Sequence, residues 1–206
     1  MKIKFLAFAV ITAMIFASCK DEIDEIGGDT DLENNKVGYT YNLKGTFAGA
    51  NVGTGFKATV TENTGGVVEI KLEGKVVDKF ASNFPSPHIG KNGNVSISGK
   101  FINSSDGVAY VNSKGEQTVL AKYNAKVGDK WSYTTLGGKK ITREVKSVSK
   151  ENDYYWGGMN IKVITIEQNL PYPGFKKAVY YANHRFGLVG VDITLEDGTV
   201  VYSAIL

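Results

Sequence analysis

From residue 37 onward, apolar and polar side chains alternate in short runs and do not recur every three or four positions. Val68, Ile70 and Leu72 interleave with Glu69, Lys71 and Glu73, the two-residue period of a strand with one buried face. Similar runs, rich in β-branched and aromatic residues, lie at 39–47, 56–62, 67–77, 95–102, 108–111 and 118–123. They resume at 130–135, 140–149, 160–168, 176–182, 188–195 and 199–205. Asn92-Gly93, Asp106-Gly107, Gly137-Gly138 and Asp197-Gly198 supply the residue pairs that tight hairpins need. Residues 80–90, with Asn83-Phe84-Pro85-Ser86-Pro87, break the pattern and read as a loop, with one short turn over 77–84. The pattern predicts an all-β, mainly antiparallel fold with very little helix: a curved sheet, a half-barrel or a sandwich.

The chain also echoes itself. Lys36-Val37-Gly38-Tyr39-Thr40-Tyr41 returns ninety positions later as Lys126-Val127-Gly128-Asp129-Lys130-Trp131-Ser132-Tyr133, and each copy precedes a Gly-Gly pair, at 65–66 and 157–158. Two related half-sheets, 37–125 and 126–206, would produce this; so would chance likeness between Gly- and Tyr-rich strands.

The start of the chain follows another rule. Lys2 and Lys4 precede an apolar run from Phe5 to Phe16, broken only by Thr12, and Ala17-Ser18 lead into Cys19. This is the order of a secretory leader, too short for a spanning helix of ~20 residues. Phe16-Ala17-Ser18-Cys19 resembles the bacterial lipobox, with Phe16 where Leu is usual. The resemblance implies a signal peptide over 1–18, cleavage before Cys19, and acylation of the Cys19 thiol and the new amino terminus. Cys19 is the one cysteine in the chain, so a disulfide framework is excluded.

Residues 20–35 carry seven acids against one Lys, so residues 19–36 read as the lipidated cysteine with a disordered acidic tether. Lys20-Asp21-Glu22 resembles the surface-export signal of Bacteroidota-type lipoproteins, which implies an outer-membrane lipoprotein facing outward; a plain charged linker facing the periplasm is the alternative. The remaining 37–206 suffice for a single β domain. It holds 20 Lys and Arg against 14 Asp and Glu. The excess is scattered, and no nucleic-acid motif accompanies it.

The C-terminal half resembles uncharacterised exported lipoprotein domains. It carries their Gly-Asp-x-Trp-x-Tyr opening (Gly128 to Tyr133), a Gly before a Val-rich strand (Gly158, then 161–166), and a Tyr-Tyr-Ala…Gly-Leu-Val close (Tyr180 to Ala182, Gly187 to Val189). It departs from them at Tyr154-Tyr155-Trp156 and at the 170–175 loop. The resemblance implies an antiparallel half-barrel in the style of lipoprotein carriers, and it carries over no catalytic residue.

Candidate chemistry is sparse. His88 and His184 are the two histidines, neither in a ligand pair, so no metal or other cofactor is expected. No Gly-x-Ser-x-Gly elbow occurs, and Gly49 to Gly55 lacks the Lys-Ser/Thr of a phosphate loop. Aromatics between strand runs are the candidate ligand contacts: Tyr154, Tyr155, Trp156, Tyr172 and Phe175, with Arg185 for polar contact. Three functions follow. The first is a non-enzymatic envelope lipoprotein, held to the outer membrane by its anchor, that binds a glycan, lipid or protein. The second is a lipid or lipoprotein carrier, which an apolar cavity of several hundred Å³ would favour. The third is a small glycan hydrolase.

Overall fold

The computed structural model describes residues 25–77, 90, 92–135 and 137–205. The leader, Cys19, His88 and nearly all of the 80–90 loop lie outside the described residues.

The strands are β1 (Thr40–Phe47), β2 (Ala50–Asn51), β3 (Gly53–Thr64), β4 (Val67–Val76), β5 (Asn94–Asn103), β6 (Gly107–Val111) and β7 (Gln117–Lys122). After them come β8 (Lys130–Thr134), β9 (Lys140–Val148), β10 (Tyr154–Trp156), β11 (Met159–Ile161), β12 (Ile164–Asn169), β13 (Phe175–Asn183), β14 (Gly187–Leu195) and β15 (Val200–Ile205). A three-residue 3-10 turn, Glu33–Asn35, is the one helical element among the described residues. Thirteen strands form one antiparallel sheet in the order β7-β6-β5-β4-β3-β1-β15-β14-β13-β12-β9-β8, with β2 beside β1. The sheet curls into a nearly closed barrel, bringing β6 and β7 near β14 and β13 across the interior.

The chain runs up and down through β1 to β7, then again through β8 to β15, and β15 returns to pair with β1 from Leu43↔Ile205 to Phe47↔Val201. Both runs open on the same turn. Tyr39 N–H donates to Lys36 C=O at 3.0 Å, and Asp129 N–H to Lys126 C=O at 3.0 Å. The third residues, Gly38 and Gly128, sit at φ +91° and +93°, which a type II turn requires and a side chain resists. Gly38 N–H then donates to Val60 C=O of β3 and Gly128 N–H to Val145 C=O of β9, while Val60 and Val145 N–H donate to the carbonyls of the next residues, Tyr39 and Asp129.

Alternation decides what enters the barrel. In β5, Val95 and Ile97 are buried while Ser96 and Ser98 are exposed. Ile164 and Ile166 of β12, Tyr180 of β13, and Val191, Ile193 and Leu195 of β14 join the same core. Each large apolar side chain buried this way contributes about 1.5–3 kcal/mol.

Two expectations are corrected. Residues 25–36, the described part of the predicted tether, do not stay outside the domain but lie along the sheet. Ile26 is buried against Ala109 and Val119, its N–H donates to Gln117 Oε1 at 2.9 Å, and Asn34 and Asn35 are buried by amide hydrogen bonds to Asn103. Acid-rich composition argues against a core of the segment's own, but not against binding to an existing one. The run 160–168 is also two strands. β11 pairs with β10, Tyr154 opposite Ile161, so the Tyr154-Tyr155-Trp156 segment is itself a strand of a small hairpin.

Candidate functional site: an apolar cavity where the sheet changes partners

Strand β1 is shared unevenly by its neighbours. Thr40 to Asn42 pair with Thr59 to Lys57 of β3, whereas Leu43 to Phe47 pair with β15. At this handover the two sides of the barrel diverge, leaving a cavity of about 150 Å³. Its walls include Leu43, Phe101, Leu188, Val191, Val201 and Ile205. Lys44 is the one charged residue among those lining it, and it is exposed. A space of this size lined by aliphatic and aromatic side chains favours a ligand of about a benzene ring. Pockets for drug-sized ligands run from about 300 Å³ upward.

One end of the cavity is polar. Asn35 and Asn103 line it, and Tyr41 beside them donates to Asn34 C=O at 3.3 Å. Burial pushes the Tyr41 hydroxyl far above the usual phenol range, so it stays protonated. Asn35 Nδ2 donates to Thr30 and Asn103 carbonyls at 2.9 and 2.7 Å, so the docked N-terminal segment forms this end wall.

The sequence-predicted contacts fall in two places. Tyr154 stacks on Tyr181 of β13, ring centroids 5.0 Å apart, with its hydroxyl over Gly190, where a Cβ would come within 2.9 Å. Trp156 packs on Phe186 at 4.4 Å, and the Arg185 guanidinium lies 5.4 Å from the same Phe186 ring. Tyr155 is 74% exposed. Tyr172 and Phe175 lie beyond the other end of β12, a separation of about 20 Å at ~3.3 Å per residue. Tyr172 carries the Lys139 ammonium 4.6 Å above its ring, and Phe175 packs against the barrel core. The structure thus brings Trp156 and Arg185 onto Phe186, with Tyr154 on Tyr181 against the same small cluster, and does not bring Trp156 and Tyr172 together. His184 is exposed in the turn before β14, and no group of three metal-ligating side chains occurs among the described residues.

Several of the basic side chains are paired with acids. Lys146 lies 2.9 Å from Glu144, Lys130 3.3 Å from Glu144, and Lys177 2.6 Å from Glu167, all on the outer face of the second run of strands.

Sequence reasoning passed over the cavity and also a buried cation. Arg143 of β9 is 1% exposed. Its Nη1 donates to Val119 C=O at 2.8 Å, and the rings of Tyr133 and Tyr180 flank the guanidinium at 4.9 and 5.8 Å. Trp131 Nε1 donates to the same carbonyl at 2.9 Å. These side chains join the two free edges of the sheet, β7 and β8–β9, where no backbone ladder forms. Its signal was the alternation itself, since Arg143 lies between inward-facing Ile141 and Val145.

A titratable group lies on the outer face below the β10–β11 hairpin. Tyr181 donates to Asp192 Oδ2 at 2.8 Å. Burial raises the Asp192 carboxyl above its ordinary value, and the Tyr181 bond offsets this only in part. A raised acid pKa means that the folded chain holds the proton more tightly. Stability therefore falls as pH rises from the ordinary carboxyl value through the folded one, and the deficit is complete above it. Asp192→Asn should accordingly be more stable than wild type at neutral pH, with the gain fading toward pH 3 in urea unfolding. A gain independent of pH would show that the charge is not its source.

The described geometry defines a nearly closed antiparallel barrel with an internal apolar site. No family model matches the sequence, and no curated protein matches it. Among solved structures the fold is similar to that of a candidate exported protein with a YmcC-like fold from Bacteroides fragilis NCTC 9343. The TM-score is 0.50 at 11% identity, over 83% of this chain and 95% of that one. At that identity the likeness is one of fold.

Proposed function

We propose that this chain is a non-enzymatic cell-envelope lipoprotein, anchored in the outer membrane through Cys19, whose barrel binds a small apolar ligand or one apolar segment of a larger one. The observation that carries the reading is the apolar cavity at the β1 handover. The lipobox-like Phe16-Ala17-Ser18-Cys19 supports the anchor, and the fold's likeness to a candidate exported protein supports an envelope location. Lys20-Asp21-Glu22 supports the outward-facing side. With Ile26 docked on the barrel, the anchor holds the domain within about 25 Å of the bilayer surface, the fully extended reach of seven residue steps. A second reading rests on Tyr155 and Met159, exposed at 74% and 49% on the β10–β11 hairpin, as a contact for a glycan or protein partner.

Two measurements test the first reading. Labelling with an alkynyl palmitate should mark wild type and not Cys19→Ser; label on both, or on neither, removes the anchor. For the cavity, Leu188→Trp places an indole in it. Binding of hexan-1-ol, followed by methyl NMR shifts at Val191 and Leu43, should weaken at least tenfold while the fold persists by circular dichroism. Unchanged binding, or shifts confined to Tyr155, would move the ligand site to the hairpin.

A further inference from the structure

The polar end of the cavity is unfinished. Asn103 Nδ2 donates to Asn34 Oδ1 at 3.1 Å and to Asn35 Oδ1 at 3.2 Å. This makes one of the two bonds of a reciprocal amide pair. The return bond is not made: Asn34 Nδ2 and Asn103 Oδ1 have no hydrogen-bond partner, although both residues are more than nine-tenths buried. Buried polar atoms are nearly always paired, and each unpaired donor or acceptor is costly to the free protein. Asn103 lines the cavity, and its Oδ1 faces Gly187, another lining residue, where even a Cβ would come within 3.0 Å.

We infer that the cavity selects ligands with an uncharged head that donates a hydrogen bond, a hydroxyl or a carboxamide on a short apolar body. The inference rests on the cavity reading above and adds the head group. Such a head donates to Asn103 Oδ1, the unpaired acceptor on a lining residue, while the body of about six carbons lies among Leu43, Phe101, Leu188 and Val191. A carboxylate is disfavoured because it brings no hydrogen for Asn103 Oδ1 and would enter an apolar space without a buried cation to meet it. Sites built to hydrogen-bond a hydroxyl reject analogues that lack it far more strongly than apolar pockets reject a missing methylene.

The test uses the full chain carrying Cys19→Ser, which needs no detergent, and compares hexan-1-ol, hexanamide, 1-fluorohexane and hexanoate by NMR titration at pH 7.5. Hexan-1-ol and hexanamide should bind at least tenfold more tightly than 1-fluorohexane, which matches the alcohol in shape but cannot donate, and more tightly than hexanoate. Asn103→Leu removes the lining acceptor and leaves the Asn103 backbone carbonyl that Asn35 Nδ2 uses. It should reduce the alcohol's preference to under threefold, with folding checked by circular dichroism. Equal binding of hexan-1-ol and 1-fluorohexane overturns the head-group inference and leaves the apolar site standing. Tightest binding by hexanoate overturns it in favour of an anion. If no probe binds, the cavity reading itself falls.

Discussion

Replacing Arg143 by alanine is expected to cost about 4 kcal/mol of unfolding free energy, whereas methionine at the same position stays within about 1 kcal/mol of wild type or exceeds it. The difference follows from what the guanidinium touches. It is 1% exposed, its Nε has no hydrogen-bond partner, and no carboxylate forms an ion pair with it among the described residues. Desolvating a cation without a counter-ion costs several kcal/mol, against hydrogen bonds with Val119 C=O and the Tyr180 hydroxyl and two aromatic faces. Alanine removes these contacts and leaves a void between Tyr133 and Tyr180. Methionine removes the charge, fills most of the space, and leaves Val119 C=O still bonded to Trp131 Nε1. Urea unfolding of both variants measures the pair. Should methionine lose as much as alanine, the guanidinium's own bonds outweigh its desolvation.

Arg143 also marks where the sequence could be read and where it was not. The strand runs were legible because polar residues occupy alternate positions, and the paired strands follow them closely. The same count of two places Arg143 beside Ile141 and Val145, and Gln168 beside Ile166, all facing inward. Charge and amide groups are habitually assigned to water, and that habit hid both. For the β10–β11 hairpin, Gly157-Gly158 was a turn signal in plain view, but a three-residue strand is too short for alternation to register. The docked segment was obscured by its acids, since Asn34 and Asn35 are buried by amide bonds to Asn103, far along the chain. The candidate cavity lay beyond any local pattern. It exists because β1 leaves β3 for β15 at Leu43, a register set between opposite ends of the chain.

Gly107→Ala is expected to lose about 3 kcal/mol, at the upper end of what overpacking costs, although its backbone needs no glycine conformation. A Cβ at Gly107 would stand 2.1 Å from Ala121 C=O on the neighbouring strand and 2.9 Å from Ile26 Cδ1. The carbonyl belongs to the β6–β7 backbone, where Gly107 pairs with Lys122 and Val108 with Ala121, so no side-chain rotation relieves the contact. The strands must separate at the start of β6. Ile26, held between Ala109 and Val119, loses its seat with them. Two readouts should therefore move together: the urea midpoint falls, and limited proteolysis within residues 25–36 accelerates at denaturant concentrations where the barrel persists. Gly137→Ala, with Thr135 Oγ1 at 3.9 Å as its nearest neighbour, serves as the control and should change neither. If Gly107→Ala unfolds within about 0.5 kcal/mol of wild type, β6 and β7 lie farther apart than this register allows. If the midpoint falls while proteolysis of the segment is unchanged, Ile26 is not held by the β6–β7 pair.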